Sequence, residues 1–322
     1  MNGAEKLKYP RDPGQISVIR ETIEVMDLPL VSIVTPSYNA AGFLEETIQS
    51  VLSQDYPRIE YTVMDGGSTD GTMEILRKYE GHLQYQSQPD RGQTDAINKG
   101  FKLSRGSVFA FLCADDTYLP GAIGTAVRHL QASPGQAGIY GEAYLTDEDG
   151  KILCRYPTRE FDPELLKNEC FICQPASFLR RDAFLEAGMM DVNLHLGLDY
   201  DFWIRLAKRR TLRKVDDYLA TSRMHRGAKT LRDRSAVFKA SIDILEAHYG
   251  YAPYSQIYGY CSALLDPRDG FFEPVRPSPF KYALAVLYGS LRNFRHLPRY
   301  WKECLGEAAF KVKSASPEAP RR

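Results

Sequence analysis

From Leu30 onward, short apolar runs alternate with segments of helical spacing, and few folds accommodate that order. Leu30 to Thr35 reads as a strand. Ala41 to Gln54 carries Phe43, Leu44, Ile48, Val51 and Leu52 at helical intervals, and Ile59 to Met64 is the next strand. A helix over Thr69 to Tyr79, a short strand over Leu83 to Gln86, a helix over Gly92 to Leu103, a strand over 107–113 and a helix over Leu119 to Gln131 continue the pattern. Strands joined by single helices predict a Rossmann-like α/β fold, a mostly parallel central sheet with flanking helices. Such sheets collect ligands at the carboxyl ends of their strands. Three polar clusters fall there: Thr35-Pro36-Ser37-Tyr38-Asn39, Asp65-Gly66-Gly67-Ser68-Thr69-Asp70-Gly71, and Asp115-Asp116. Together they mark one edge of one sheet as a site.

Asp115 and Asp116 end an apolar strand whose residues, Val108 to Cys113, read as buried on both faces. Neighbouring carboxylates repel, so a cost must be offset. One acid suffices to cap the helix expected from Leu119. Two suggest a divalent cation, Mg²⁺ or Mn²⁺, held through one or two oxygens while a nucleotide's diphosphate supplies others. Asp65 sits before its turn and faces the same edge, where a carboxylate can accept an N–H from uracil or another base. Asp70 or Thr69 reads as the cap of the following helix. The loop lacks the Lys-Ser/Thr pair of a P-loop and the GxGxxG order of a dinucleotide fold.

Composition narrows the partners. Lys+Arg and Asp+Glu both number 41, so no net charge announces nucleic acid. No apolar run approaches the ~20 residues that span a bilayer, and the first thirty residues lack a signal-peptide core, so a cytoplasmic location is expected. The six cysteines are scattered, and Cys170-Phe171-Ile172-Cys173 has no second pair to complete a zinc site. They read as small buried hydrophobes.

After Gly138 the pattern changes. Ala137 to Leu145 and Lys151 to Cys154 suggest a hairpin turning at Asp147-Glu148-Asp149-Gly150. A helix near Asp162 to Asn168, a strand over Pro175 to Arg180 and an amphipathic helix over Asp199 to Arg209 follow. Ser235 to His248, Ser255 to Leu265 and Pro279 to Phe294 read as helices. The domain reading is an N-terminal extension (1–29), a catalytic domain (30–229), a C-terminal helical region (230–313) and a proline-rich, charged, disordered tail (314–322).

Val31 to Asn39, Met64 to Thr72 and Ala114-Asp115-Asp116, in this order and spacing, resemble the family-2 glycosyltransferases with the GT-A fold; the likeness covers residues 30 to about 225. The resemblance implies that Thr35, Pro36, Tyr38, Asn39 and Asp65 form the nucleoside side, with Tyr38 against the base. It implies that Asp90, Gln93 and Asp95, in Gln88 to Ala96, complete the nucleotide-sugar pocket. Asp115 and Asp116 match the family's metal-binding acids, Asp116 as the direct ligand and Asp115 shared between nucleotide and metal. Gly197 to Trp203 matches the segment carrying the general base, here Asp199, and Arg223-Met224-His225 the late Arg and His that reach diphosphate and metal. Phe171, Gln174, Pro175 and Ser177 lie where the family shapes its acceptor side, and Trp203 is a candidate aromatic face for an acceptor sugar. Two positions depart from the family: Cys113 and Leu198 stand where acids are common.

The implied activity is inverting transfer of a sugar from a nucleotide-diphosphate donor, UDP-linked by expectation, to a saccharide or lipid-linked acceptor in cell-surface polysaccharide or glycolipid synthesis. The QxxRW signature of processive synthases is absent, which implies single additions. Competing readings are a sugar-1-phosphate nucleotidyltransferase, disfavoured by the missing glycine-rich basic signature, and a nucleotide-sugar binding protein that lost catalysis, favoured by Cys113 and Leu198. Phe280 to Arg299 mixes basic with aliphatic and aromatic residues. It reads as an ordinary packed helix, or as a face lying on the inner plasma membrane.

Overall fold

The computed structural model describes residues 28–266 and 278–314, with side chains of the last helix as far as Gly306. The expected extension and tail therefore lie almost wholly outside the described residues. The chain divides into two compact units: Met1–Pro163 with Cys170–His225, and Glu164–Glu169 with Arg226–Arg322.

The first unit is built on a mixed nine-stranded sheet. Its strands are β1 (Val31–Ser37), β2 (Ile59–Asp65), β3 (Gln84–Ser87), β4 (Val108–Phe111), β5 (Thr117–Tyr118), β6 (Gly138–Thr146), β7 (Ile152–Arg155), β8 (Ser177–Arg180) and β9 (Leu212–Arg223). They run in the order β3-β2-β1-β4-β8-β6-β9-β5, with β7 beside β6. β3, β2, β1 and β4 are mutually parallel. Beyond β4 the pairing turns antiparallel through β8, with β6 and β9 parallel to each other. Every residue of β1 and β4 is buried, which is why both read as unbroken apolar runs.

Helices α1 (Leu44–Leu52), α2 (Thr72–Lys78), α3 (Gln93–Leu103), α4 (Ala122–Gln131), α5 (Arg181–Glu186) and α6 (Leu198–Ala207) cover the sheet. Leu44, Ile48 and Val51 of α1 join Ile33, Val63 and Tyr61 in the main core. Each such aliphatic side chain, fully buried, contributes about 1.5–3 kcal/mol. On the other side Phe101 stacks on Phe109 at 4.4 Å and meets Phe184 edge-on at 4.8 Å.

The expected helix from Leu119 begins later, at Ala122. Residues 117 and 118 instead form β5, tied to β9 by a Thr117–Thr221 hydroxyl pair at 2.6 Å and by Leu119 N–H donating to Leu219 O at 2.9 Å. Neither Asp115 nor Asp116 is therefore a helix cap. The expected hairpin is present as β6 and β7. The expected helix at Asp162 to Asn168 shrinks to a 3₁₀ turn over Leu165–Lys167. The sequence reading contained neither β9 nor α5. Asp216-Asp217 interrupts the alternation of β9, and its pairing with β6 shifts register near Glu142, so no simple period survives.

The second unit holds α7 (Lys229–Arg232), α8 (Arg234–Tyr249), α9 (Tyr254–Leu265), α10 (Pro279–Arg292) and α11 (Leu297–Ser314). Asp233 caps α8 by accepting Ala236 N–H at 2.9 Å, and Gly250 closes it at a left-handed φ of 67°. Ile242, Ile257, Cys261, Ala285 and Tyr300 form its core. All six cysteines are free thiols.

Candidate functional site

Strands β1 and β2 end side by side, Ser37 opposite Asp65, and the loops after them are stitched together. Asn39, held at a left-handed φ of 49°, donates its N–H to Ser68 Oγ at 2.7 Å and accepts Thr69 N–H on its side chain at 2.9 Å. Asp65 is buried, and its carboxylate already accepts from Gly67 N–H, Ser68 N–H, Ser68 Oγ and Ser87 Oγ. It shapes the turn; a base N–H would be a fifth donor. Asp70, expected as the cap of α2, instead precedes the Gly71 N-cap; it accepts the N–H of Thr72, the first helical residue, at 3.0 Å, and also takes Ala41 N–H. Tyr38 stands 66% exposed beyond this frame.

Thr35 does not reach the site with its side chain. It is fully buried, and its hydroxyl pairs with Tyr61 Oη at 3.0 Å. Pro36 lies within β1 opposite Met64. Ser37, by contrast, has a buried Oγ with no partner at the end of β1. Leaving such a group unsatisfied costs about 1–3 kcal/mol.

The segment before α3 closes against this edge. Asp90 accepts Gly92 N–H at 2.7 Å and lies against Gly66, where a Cβ would sit 3.0 Å from Asp90 Oδ2. Only glycine lets these two loops approach so closely. Asp95 is engaged internally: it accepts Arg91 N–H at 3.1 Å and Lys99 Nζ at 3.0 Å. Burial alone would raise its pKa, but those donors outweigh it and hold the carboxyl below its usual range. Gln93 turns toward the acids, its Nε2 3.2 Å from Cys113 Sγ.

Cys113, Asp115 and Asp116 offer a thiol and two carboxylate oxygens that all lie within 4.8 Å of one another. The acids then diverge. Asp116 is buried and accepts Arg223 N–H at 3.0 Å. Burial first, and the charge of Asp115 second, push its pKa well above the usual carboxylate range. Asp115 is more open and accepts from, or shares a proton with, His225 Nε2 at 3.0 Å. The ring of Phe43 lies 4.6 Å from that imidazole.

Arg223 is not a free cation for a phosphate. It is 4% exposed, and its guanidinium donates to Asp115 O at 3.0 Å, to Glu148 O at 2.7 Å and to the Glu46 carboxylate, over the face of Phe43. The implied diphosphate contact is corrected to a clamp that fixes the loop bearing Asp115. Glu46 and Phe43, both on or beside α1, were missed because their partners lie far away in sequence.

Asp199 occupies the first turn of α6, where its Oδ1 accepts Tyr200 N–H at 2.9 Å. It is half-buried, and burial raises its pKa against that hydrogen bond. The buried Cys173 thiol is pushed up by burial and then by the charges of Asp116, Cys170 and Asp199. The next residue, Gln174, donates to Phe111 O at 2.6 Å and accepts weakly from Cys113 Sγ at 3.6 Å. Gln174 is a buried brace under the cluster. Trp203, named for the acceptor, is fully buried beside Phe202 and has no face for a sugar; it belongs to the core.

A divalent ion fits this donor set. Carboxylate oxygen and imidazole nitrogen suit Mn²⁺, and carboxylate suits Mg²⁺, whereas the Cys113 thiol suits neither. The outward pair, Asp115 with His225, offers the accessible donors. Asp116, named as the direct ligand, has its Oδ1 on the Arg223 N–H.

The chain is similar to known glycosyltransferases. Residues 32–188 match the family model described as glycosyl transferase family 2. The chain is 31% identical over 225 residues to a glycosyltransferase of Rickettsia felis, covering 64% of this chain and 36% of that protein. It is 30% identical over 190 residues to TuaG of Bacillus subtilis, named for teichuronic acid biosynthesis, covering 58% of this chain and 73% of TuaG. It spans about a third to two thirds of the length of the first curated relatives it matches. Among solved structures, residues 1–349 of S. aureus TarS in complex with UDP-GlcNAc superpose with a TM-score of 0.54 at 14% identity, covering 83% of this chain and 89% of that one. That likeness speaks for the GT-A fold. The matched motifs, the fold and the extent of the TuaG alignment together make this chain a member of glycosyltransferase family 2.

Proposed function

We propose that this protein is an inverting, non-processive glycosyltransferase. It moves a sugar from a nucleoside-diphosphate donor, UDP-linked, to a hydroxyl of a saccharide or lipid-linked acceptor during synthesis of cell-surface polysaccharide or glycolipid. The observation that carries this reading is the cluster of Cys113, Asp115 and Asp116 after β4, with His225 Nε2 3.0 Å from Asp115, in a chain that belongs to glycosyltransferase family 2.

Asp199 takes the proton of the acceptor hydroxyl as that oxygen attacks the anomeric carbon and the nucleoside diphosphate departs. A carboxylate with a raised pKa is the stronger base for this transfer. A single displacement inverts the anomeric centre. Tyr38 offers its open face to the base, with Asn39, Asp65 and Asp90 shaping the nucleoside pocket around the orphan Ser37 hydroxyl. Asp115 and His225 would hold Mg²⁺ or Mn²⁺, with Asp116, Arg223 and Gln174 positioning that pair. A bound ion there supplies positive charge against the leaving diphosphate. The UDP-GlcNAc complex of TarS supports a uridine donor, and the name of TuaG supports a polysaccharide product.

Cys113 and Leu198 favour a second reading, a nucleotide-sugar binding protein without transfer. Release of UDP from a panel of UDP-sugars separates the two. The enzyme reading expects slow hydrolysis that EDTA abolishes, Mn²⁺ or Mg²⁺ restores and Asp199→Asn removes. Saturable donor binding with no release by the wild type supports the binding protein instead.

A further inference from the structure

We propose that the outer face of α10 and the start of α11 is a docking surface for an anionic lipid bilayer. This goes beyond sugar transfer and does not rest on it.

Helix α10 is amphipathic in the inverse sense. Its buried residues are Lys281, Ala285 and Gly289. Its exposed residues are Pro279, Phe280, Ala283, Leu287 and Leu291, every one apolar. At 100° per residue Phe280, Leu287 and Leu291 fall within a narrow stripe, and they are 81%, 63% and 69% exposed. Phe294, Trp301 and Leu305, next along the chain, are 64%, 51% and 68% exposed. Six large side chains on one short stretch are more than scattered surface hydrophobes.

The orientation is fixed from below. Tyr300 of α11 is fully buried, donates its hydroxyl to Ala285 O at 2.7 Å and occupies the space at Gly289, where a Cβ would sit 1.9 Å from Tyr300 Oη. That contact locks the small-residue face of α10 inward, so the Phe-Leu stripe has to point out. Trp301 is held in place by its indole N–H donating to Ser290 Oγ at 2.9 Å.

Charge selects the occupant. From 279 to 305 the chain carries Lys281, Arg292, Arg295, Arg299 and Lys302 against a single acid, Glu303. Lys281 is buried, and Arg292 is paired with Asp243 and Glu246. Arg295 and Lys302 remain exposed next to the apolar residues, with Arg295 lying over the Phe294 ring at 5.3 Å. Exposed Phe, Leu and Trp flanked by basic residues match the boundary between headgroups and acyl chains, where each cation near an anionic surface contributes about 1 kcal/mol. No helix among the described residues is long and apolar enough to cross a membrane, so the contact is peripheral.

The test is flotation of the full chain with phosphatidylcholine vesicles, with and without phosphatidylglycerol, at low and high salt. Light scattering after size exclusion is run alongside. The expected result is flotation with the anionic vesicles only, weakened by salt. Leu287→Glu with Leu291→Glu should abolish it, and Arg295→Glu or Lys302→Glu should each weaken it about fivefold or more. These positions are exposed, and unchanged circular dichroism and melting confirm intact folding. Absence of flotation with every vesicle overturns the proposal. So does equal binding to neutral vesicles, or a dimer lost in the double variant with no vesicle binding, which would assign the face to a second copy.

Discussion

His225 Nε2 lies 3.0 Å from Asp115 Oδ2, although 110 positions separate the two residues. Strand β9 brings the histidine there, and the Arg223 clamp fixes the loop that carries the acid. Removing either member of the pair should cost the proposed divalent-ion site one donor. Asp115→Asn and His225→Ala are each expected to lower metal-stimulated UDP release on the order of 10²-fold. Mn²⁺ titration in the presence of UDP checks this, and unchanged affinity in both variants would remove the pair from the metal.

Arg223→Met should act on stability. It deletes donors to two backbone carbonyls and to Glu46 in a buried setting, an expected loss of about 3 kcal/mol by urea denaturation. A variant that unfolds like the wild type but binds donor weakly would return Arg223 to the diphosphate.

Asp199→Asn should reduce transfer by about 10²–10⁴-fold and leave donor affinity nearly unchanged. The pH dependence of the wild type provides a separate check. Lowering the pH protonates Asp199 and removes the base, and burial has raised the pKa at which that occurs. The acid limb of kcat should therefore lie above the ~3.9 of an ordinary aspartate. An acid limb at or below that value contradicts the role.

Gly66→Ala probes the junction of the two loops proposed to hold the nucleoside. The new methyl group would stand 3.0 Å from Asp90 Oδ2 and displace it by a few tenths of an ångström. Donor affinity should fall up to about tenfold while the melting curve shifts little, since the strain sits in a surface loop. Isothermal titration with the preferred UDP-sugar measures it. A large loss of stability with unaltered affinity would make Gly66 a purely structural residue.

Much of this protein was legible in one dimension because its signals are local. Apolar runs such as Val31 to Val34 and Val108 to Phe111 announce strands buried on both faces, and the helices between them dictate parallel pairing. Polar residues at their carboxyl ends point to the candidate site, and the start of α2 near Asp70 is legible from its spacing, although the N-cap itself is Gly71. What remained hidden depends on partners distant in the chain. Thr35 and Trp203 carry functional-looking chemistry, but packing buries them completely. Asp115 and Asp116 are neighbours in sequence and differ in environment, because β9 delivers a backbone N–H to one and an imidazole to the other. Burial and proximity are properties of the assembled sheet, so only the tertiary structure could separate an open acid from a braced one.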